Sequence, residues 1–277
     1  MARCDDFAVL ADLHFMPEGR LLYGIDPRDR LDAALALLAR DHAGVGCLVL
    51  LGDLAHRGES ESYRALTAAL AGAGMPIIPM MGNHDSRRAF LDEYPNDMPR
   101  QDRFVQSAVE LDRCTLIALD TLDEERSDAG GRLCPERRQF LRDALRDARS
   151  DKPVYCFLHH PPFATGSPAY DAIALDEPEA LLRIFDAAGR RPDHILCGHV
   201  HQTINGSWHG IPISTQRSLV HQLGQEGQAE VIEGTLEQPT ITIGTVTPDG
   251  LRLRHRNLLY EGPVFLPKGT SEIVLRP

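Results

Sequence analysis

The sequence predicts a layered α/β fold in which strands and helices alternate along the chain. Two observations predict it. Five short apolar runs are each followed at once by Asp, His or Asn, and apolar residues recur at helical spacing between them. Runs this short that are apolar throughout are typical of strands buried on both faces. The 277 residues, 43% of them hydrophobic, are enough for one large core.

Each strand-like run ends in polar side chains. The runs read FAVLADLH, CLVLLGD, IIPMMGNHD, VYCFLHH and HILCGHVH, over residues 7–14, 47–53, 77–85, 154–160 and 194–201. In open α/β sheets, ligands bind outside the carboxyl ends of the strands. We therefore expect the five polar clusters to meet at one edge of one sheet and to form the functional site there.

Four segments between these runs have helical periodicity, and they cover residues 28–41, 59–71, 135–148 and 177–188. Pro135 lies at a position suited to the first turn of the third helix. After His201 the pattern changes to short strands broken by glycine and proline, at 211–214, 230–232, 240–246 and 251–254. No linker-like stretch divides the chain. We expect a single domain over 1–277, in which 202–277 complete a second sheet and form a C-terminal extension.

The charge balance restricts the classes of partner. The chain has 29 Lys and Arg against 40 Asp and Glu, a formal net charge of −11. Such a surface repels nucleic acid and anionic membranes, so neither is an expected partner. An anionic substrate would need a local positive charge in the site, and bound metal ions would supply it.

Cysteine use and the N-terminus predict a soluble cytoplasmic protein. The six cysteines are scattered without a C-x-x-C pair, and four lie inside apolar runs, as free thiols do in a reducing compartment. Asp5 and Asp6 interrupt the N-terminus before an apolar stretch long enough for a signal peptide. No run approaches the roughly 18 apolar residues that a membrane span needs. A homo-oligomer is compatible with this sequence.

Two pairs of polar residues have the spacing of a metal grip. Asp12 and His14 are two residues apart on a predicted strand, so both side chains would leave the same face. His199 and His201 repeat that arrangement. A single histidine at a strand end is more often structural than a ligand. Seven such residues at the ends of five strands together favour a metal site.

The other expected ligands lie between these pairs. Asp53 follows Gly52, which allows close backbone approach, and its two oxygens could bridge two ions. Asn83 offers a carbonyl oxygen and His159 an imidazole. A mixed nitrogen and oxygen set without thiolate suits Mn, Fe, Co or Zn. The predicted metal ligands are Asp12, His14, Asp53, Asn83, His159, His199 and His201.

The motifs resemble those of the calcineurin-like metallophosphoesterases, and they occur in that family's order. They are D-x-H (12–14), G-D (52–53), G-N-H-D (82–85), H-H-P-P (159–162) and G-H-x-H (198–201). Within the family, residues 22–24 (LYG), the H-H-P-P box and residues 220–222 (VHQ) look like bacterial glycerophosphodiesterases and class III cyclic-nucleotide phosphodiesterases.

The resemblance implies a four-layer αββα sandwich, with two mixed sheets flanked by helices, and a centre for two divalent ions. By analogy, one ion would be bound by Asp12, His14, Asp53 and His201, and the other by Asp53, Asn83, His159 and His199. We choose His159 because the family's ligand lies in an H-x-P frame. His160 also fits that frame and stays the alternative.

The chemistry expected of such a centre needs no serine or cysteine nucleophile. Two ions would activate a bridging hydroxide, with Asp53 catalytic because it holds both. His84 would stabilise developing charge or protonate the leaving oxygen; otherwise it is a structural partner of Asp85 or another carboxylate. We expect Asn83 and His221 to bind substrate, although His221 could be an ordinary strand histidine.

His56 departs from the family. Related diesterases commonly have Asn or Asp at this position, facing the substrate, so we expect His56 to contact it as well. The predicted function is metal-dependent hydrolysis of a small phosphodiester, either a cyclic nucleotide or a glycerophosphodiester. The rival functions are phosphomonoesterase activity at the same site and a non-catalytic scaffold. A monoesterase usually places extra cations over the phosphate, and only Arg57, Arg87, Arg88 and Arg217 lie near the motifs.

Overall fold

Two β-sheets lie at the centre of the molecule, seen in a computed structural model that describes residues 6–94, 103–224, 233–259, 265–266 and 274–275. The strands are β1 Asp6–Leu10, β2 Cys47–Leu50, β3 Ile77–Pro79, β4 Ser107–Glu110, β5 Thr115–Leu119, β6 Val154–Leu158, β7 His194–Cys197, β8 Asn205–Trp208, β9 Ile211–Thr215, β10 Gln222–Leu223, β11 Gly234–Thr235, β12 Thr240–Thr247, β13 Gly250–Asn257, β14 Phe265–Leu266 and β15 Val274–Leu275. The helices are α1 Pro27–Asp41, α2 Ser60–Leu70, α3 Arg87–Glu93, α4 Pro135–Asp147, α5 Pro168–Asp171 and α6 Pro178–Ala187.

Both sheets are mixed. The first has the order β13-β12-β1-β2-β3, with β1, β2 and β3 parallel and β12 and β13 antiparallel to their neighbours. The second has the order β4-β5-β6-β7-β9-β8, with a parallel centre and an antiparallel strand at each edge. Two short hairpins, β10–β11 and β14–β15, stand apart from them.

The sheets pack against each other, and helices cover their outer faces. Phe7 of the first sheet meets Phe157 of the second, with ring centroids 5.5 Å apart, in a core shared by both. On the outer face of the first sheet lie α1 and α2, whose buried residues include Leu38 and Tyr63. On that of the second lie α4 and α6, through residues such as Leu141 and Phe185. The predicted four-layer αββα arrangement is confirmed.

The polar-ended strands belong to two sheets, so the expectation that they end at the edge of one sheet was wrong. β1, β2 and β3 are in the first sheet, whereas β6 and β7 are in the second. Strands buried on both faces have the same apolar pattern whichever sheet they join, so the pattern could not identify their partners. The carboxyl ends of β1 and β7 still lie close together, since the backbone N–H of His199 donates to the Asp12 carboxylate across the sheets (3.1 Å).

The strands after His201 are shared between the sheets instead of completing one. β8 and β9 extend the second sheet, and β12 and β13 complete the first. Local sequence does not encode this choice, because each strand needs only a free edge to pair with. The expected strand at 230–232 lies outside the described residues, as does most of 260–277. That 1–277 is one domain stays a prediction.

The four predicted helices are α1, α2, α4 and α6, each displaced by no more than about a turn at its ends. The elements that were not predicted are β4, β5, β8, β10, β11, β14, β15, α3 and α5. β5 (TLIAL) is fully buried and is followed at once by Asp120, so it has the same pattern as the five recognised runs and was overlooked. The other unpredicted elements are short. Among the described residues, Cys134, Cys156 and Cys197 are free thiols, and no helix combines the length and hydrophobicity required to cross a membrane.

Candidate metal centre

The seven expected ligands meet where the carboxyl ends of the two sheets adjoin. The loops after β1, β2 and β3 carry Asp12, His14, Asp53 and Asn83, and those after β6 and β7 carry His159, His199 and His201. All are buried except Asn83, which is partly exposed. The structure therefore brings together every side chain that the sequence proposed as a ligand.

Most of these residues have a strained backbone. Five of the eight non-glycine residues with positive φ in the described chain are expected ligands: Asp12 (52°), His14 (45°), Asp53 (47°), His199 (72°) and His201 (51°). Each such conformation costs on the order of 1–3 kcal/mol, persists only where the surroundings impose it, and is characteristic of functional sites.

This strain also corrects the predicted placement of the two pairs. β1 ends at Leu10 and β7 at Cys197, so neither pair lies on a strand with its side chains on one face. The kinked backbone directs the side chains together instead. Glycines allow the close approach: a Cβ on Gly82 would lie 2.2 Å from Asp53 Oδ1, and one on Gly52 would lie 2.5 Å from His159 Nδ1.

The first ligand group consists of Asp12, His14, Asp53 and His201, whose donor atoms lie within 4.8 Å of one another. His14 Nε2 is 3.2 Å from His201 Nε2 and 3.8 Å from Asp53 Oδ2. His201 Nε2 is 3.4 Å from Asp12 Oδ1. Four nitrogen and oxygen atoms thus face one small volume.

The second ligand group consists of Asp53, Asn83, His159 and His199. His159 Nε2 lies 3.1 Å from Asn83 Oδ1 and 3.4 Å from Asp53 Oδ1. The rings of His159 and His199 have centroids 5.0 Å apart. Asp53 therefore belongs to both groups, with Oδ2 toward His14 and Oδ1 toward His159.

The imidazole protons point away from both groups. His159 Nδ1 donates to the Leu51 carbonyl (2.7 Å), His201 Nδ1 to the His221 carbonyl (2.9 Å), and His199 Nε2 to the Ile173 carbonyl (2.9 Å). A carbonyl can only accept, so in the neutral form of each ring the other nitrogen carries a lone pair. Histidine ligands are commonly fixed in this way.

These tautomers place acceptors opposite acceptors. With both rings neutral, His159 Nε2 faces Asp53 Oδ1 and His201 Nε2 faces Asp12 Oδ1, both at 3.4 Å. Two lone pairs repel each other unless a proton or a metal cation lies between them. The donor set therefore fits divalent metal ions.

The protonation states suit cation binding as well. Burial, followed by the neighbouring His201, holds the pKa of His14 well below its usual value. Burial and His159 lower the pKa of His199 to about 3. Burial alone would raise the pKa of Asp53, but the nearby His159 and His84 outweigh it and lower that pKa. The candidate centre therefore offers neutral imidazoles at His14 and His199 and an ionised carboxylate at Asp53.

His160 is occupied on both ring nitrogens. Its Nε2 donates to the Ala129 carbonyl (3.1 Å), so its Nδ1 accepts from the Thr121 hydroxyl (2.7 Å). No lone pair is left for an ion. This geometry favours His159 as the ligand.

His84 stands beside the bridging carboxylate. Its Nδ1 donates to the His56 carbonyl (2.8 Å), and its Nε2 lies 4.0 Å from Asp53 Oδ2. Burial opposes protonation, but Asp53 and the His56 carbonyl outweigh it and raise the pKa of His84. Asp85 is not its hydrogen-bond partner; it accepts from Tyr63 and from the backbone N–H groups of residues 54, 55 and 82.

Two further histidines pack against the first ligand group. The His56 ring stacks on His84 at 5.3 Å, and its Nδ1 lies 3.3 Å from His14 Nδ1. The His221 ring lies 4.6 Å from that of His201, and its buried Nδ1 has no hydrogen-bond partner. Burial, then His201, lowers the pKa of His221 to about 3. Both predicted substrate contacts therefore adjoin the centre.

Tyr23 lies at the solvent-facing mouth of the candidate centre and was not predicted as a site residue. It occupies a tight turn between Leu22 and Ile25 with φ of 52°, and it is 62% exposed. Its ring lies 5.0 Å from that of His221 and 6.4 Å from that of His56. The Tyr-Gly pair indicates a turn, but nothing local indicates that the turn faces the histidines.

The comparison with known families decides the identity. The model of the calcineurin-like phosphoesterases matches residues 6–203. The chain belongs to this family. A probable cyclic nucleotide phosphodiesterase of Rhodopseudomonas palustris is 41% identical over 94% of each chain. The glycerophosphodiester phosphodiesterase GpdQ of Enterobacter lignolyticus is 28% identical over 78% of each.

The fold is similar to that of a solved phosphatase. A purple acid phosphatase from yellow lupin (Lupinus luteus) has a TM-score of 0.59 at 12% identity. The match covers 92% of this chain and 51% of the lupin chain. At this identity the likeness concerns the fold alone.

Proposed function

We propose that the protein is a dinuclear metal-dependent hydrolase of small phosphodiesters. The first ligand group would hold one ion and the second ligand group the other, with Asp53 bridging them. The observation that supports this most directly is that the two oxygens of Asp53 face histidines of different ligand groups, with Oδ2 3.8 Å from His14 Nε2 and Oδ1 3.4 Å from His159 Nε2. Mn, Fe, Co or Zn would suit these nitrogen and oxygen donors.

The bound ions would activate water and neutralise charge on the phosphate. The protein's residues would position the other participants. The backbone N–H of His84 donates to Asp53 Oδ1 (2.9 Å), which fixes the bridging carboxylate. The His84 side chain, 38% exposed, is directed by the His56 carbonyl so that Nε2 remains available to the ester or its leaving oxygen.

The charges near the site favour a diester over a monoester. A diester carries one negative charge near neutral pH and a monoester nearly two. Arg87 is bound to Asp120 and Glu124, and Arg217 to Glu237. Of the four candidate arginines, Arg57 and Arg88 are left, both exposed. His56 and His221, whose pKa values are lowered by burial, suit a singly charged ester.

Among diesters, we propose a cyclic nucleotide as the first substrate class to test. The relative with 41% identity over nearly the whole chain is a probable cyclic nucleotide phosphodiesterase, whereas the glycerophosphodiesterase is 28% identical. The exposed Tyr23 ring at the mouth is suited to a planar base. A non-catalytic scaffold is disfavoured because every proposed ligand is present and converges. A cytoplasmic location and a homo-oligomer stay predictions.

A substrate panel tests this function. Protein loaded with Mn²⁺ is assayed against cyclic AMP, cyclic GMP, glycerophosphocholine, bis(p-nitrophenyl) phosphate and p-nitrophenyl phosphate. We expect both p-nitrophenyl esters to be cleaved, the diester with the higher kcat/KM, and EDTA to abolish both reactions. A higher kcat/KM for the monoester would establish the monoesterase alternative. No hydrolysis of any ester after loading would support the scaffold.

A further inference from the structure

A buried ion pair joins the two sheets beside the second ligand group. Arg87 Nε lies 2.7 Å from Asp120 Oδ2, and Arg87 Nη2 lies 2.9 Å from Asp120 Oδ1. The side chains are 12% and 0% exposed. Arg87 begins α3, four residues after Asn83, and Asp120 follows β5 of the second sheet. The pair therefore connects the loop that carries Asn83 to the other sheet.

Asp120 is fixed within the second sheet. Its carboxylate accepts from the backbone N–H groups of Val105 and Leu122, each at 3.1 Å. Its carbonyl accepts from the buried Arg137 at 2.8 Å. A carboxylate held on this many sides gives Arg87 a fixed anchor, and bidentate arginine–carboxylate pairs have a defined geometry.

The next residue extends the connection to the histidine loop. The Thr121 hydroxyl bonds His160 Nδ1 at 2.7 Å and lies 3.4 Å from the backbone N of His160. His160 adjoins His159, whose Nε2 lies 3.1 Å from Asn83 Oδ1. These contacts, with the chain segments between them, link Asn83 to His159 by a second route. It runs through Arg87, Asp120, Thr121 and His160.

The first ligand group is tied across the sheets by other contacts. The Asp12 carboxylate accepts from the His199 backbone N–H at 3.1 and 3.2 Å. The Ser218 hydroxyl donates to the Asp12 carbonyl at 2.8 Å. Neither contact involves Arg87 or Asp120, so loss of the Arg87–Asp120 pair leaves both contacts in place.

We propose that Arg87 and Asp120 are positioning residues that set the separation of Asn83 and His159, and thereby the affinity of the second ion. The inference rests on the proposed dinuclear function. Loss of the pair removes the buried side-chain connection between the Asn83 loop and the second sheet and leaves the backbone N–H of residue 87 bound to Glu124 (3.1 Å), while the contacts of the first ligand group stay intact. Residues that support metal ligands typically contribute 10- to 100-fold in metal affinity.

The test is stepwise Mn²⁺ binding to the metal-free full chain, measured by calorimetry, together with the spin-coupled signal of the Mn²⁺ pair in electron paramagnetic resonance. In Arg87→Met we expect the second ion to bind about 10- to 100-fold more weakly and the coupled signal to be lost at stoichiometric Mn²⁺. The first ion should bind as in the wild type. Thr121→Val should also lower the affinity of the second ion, but by a smaller factor.

The matched control is Arg64→Met. Arg64 forms a two-point ion pair with Glu93 of the same α3 (2.7 and 3.1 Å), but it is exposed and does not reach the second sheet. Both ions should bind normally in this variant. Arg87→Lys keeps the charge with a single contact, should recover part of the second affinity, and replaces Arg87→Met if that variant does not fold.

Three results would overturn the inference. The second ion could bind with wild-type affinity in folded Arg87→Met or Arg87→Lys. Both ions could weaken equally, which would indicate general destabilisation. The wild type could bind fewer than two ions, which would overturn the proposed dinuclear function together with the inference, whereas the first two results leave that function intact.

Discussion

The two ligand groups are supported in different ways, although they share Asp53. The first is surrounded by imidazole side chains: His56, His84 and His221 all have ring centroids within 5.3 Å of the His14 ring. In the second, the carbonyls of Leu51 and Ile173 accept from His159 and His199, as the His221 carbonyl does from His201 in the first, and the Arg87–Asp120 pair connects the Asn83 loop to the second sheet. Histidine side chains thus surround one ligand group, and an ion pair between the sheets adjoins the other.

This difference separates substrate handling from ion retention. Exposed or half-buried residues, such as Tyr23 and His56, lie beside the first ligand group, where an ester would arrive. Beside the second group, Asp120 and Thr121 are fully buried and the Arg87 side chain is 12% exposed. Substitutions on the two sides should consequently have different signatures, and only Asp53 should affect both.

The largest effect is expected for Asp53→Ala, which removes the contact shared by the groups. Both ions should be lost from purified protein and hydrolysis should fall below detection, because the two oxygens of Asp53 face histidines of different ligand groups. Metal analysis and assay of the diester measure this. No single histidine substitution should be as severe, and retention of one tightly bound ion would contradict the bridging role.

The next largest effect separates His159 from His160. His159→Ala should abolish binding of the second ion, because Nε2 faces both Asn83 and Asp53. His160→Ala leaves the ligand in place and should weaken that ion by about 10-fold at most. Stepwise Mn²⁺ binding to the two variants measures the difference. The reverse order would make His160 the ligand.

His56→Ala tests whether the side chains around the first ligand group act on the substrate and not on ion binding. We expect a larger change in the kcat/KM ranking of esters with different leaving groups than in metal content, because His56 stacks on His84 beside the mouth. Its contact with His14 should contribute no more than about 10-fold to the affinity of the first ion. Loss of the second ion in this variant would break the distinction between the groups.

Tyr23→Ala should have the smallest effect. If a base stacks on the exposed ring, the KM for cyclic AMP should rise about fivefold, equivalent to ~1 kcal/mol, with kcat unchanged. Glycerophosphocholine, which has no planar group, is the matched control and should show no change. Equal changes for both substrates would remove the stacking role and the preference for cyclic nucleotides that rests on it.

The sequence predicted the layers and the side chains that converge at the candidate centre, but not the way in which the chain brings them together. Polar residues after buried apolar runs were sufficient to find Asp12, Asp53 and His159. Sheet membership was not accessible, because strands buried on both faces look alike in either sheet. The strained φ at Asp12 and His199 results from tertiary packing, which no local pattern encodes.

The supporting residues were the least predictable part of the site. Asp120 and Thr121 follow β5, which was itself not predicted, and Ile173 acts through its carbonyl, a group that every residue has. Arg87 was considered only as a phosphate ligand, whereas its side chain is bound to Asp120 and Glu124. Ligand chemistry restricts residue type strongly, but a hydrogen bond that orients a ligand can come from many residues.

The most direct test of the dinuclear centre is the number of ions required for activity. Metal-free protein is titrated with Mn²⁺ while bound metal per chain and the rate of bis(p-nitrophenyl) phosphate hydrolysis are measured in the same samples. We expect the rate of hydrolysis to reach its maximum only as two ions bind per chain, and we expect Asp53→Ala to retain neither ion. Full activity with one ion or fewer per chain would contradict it.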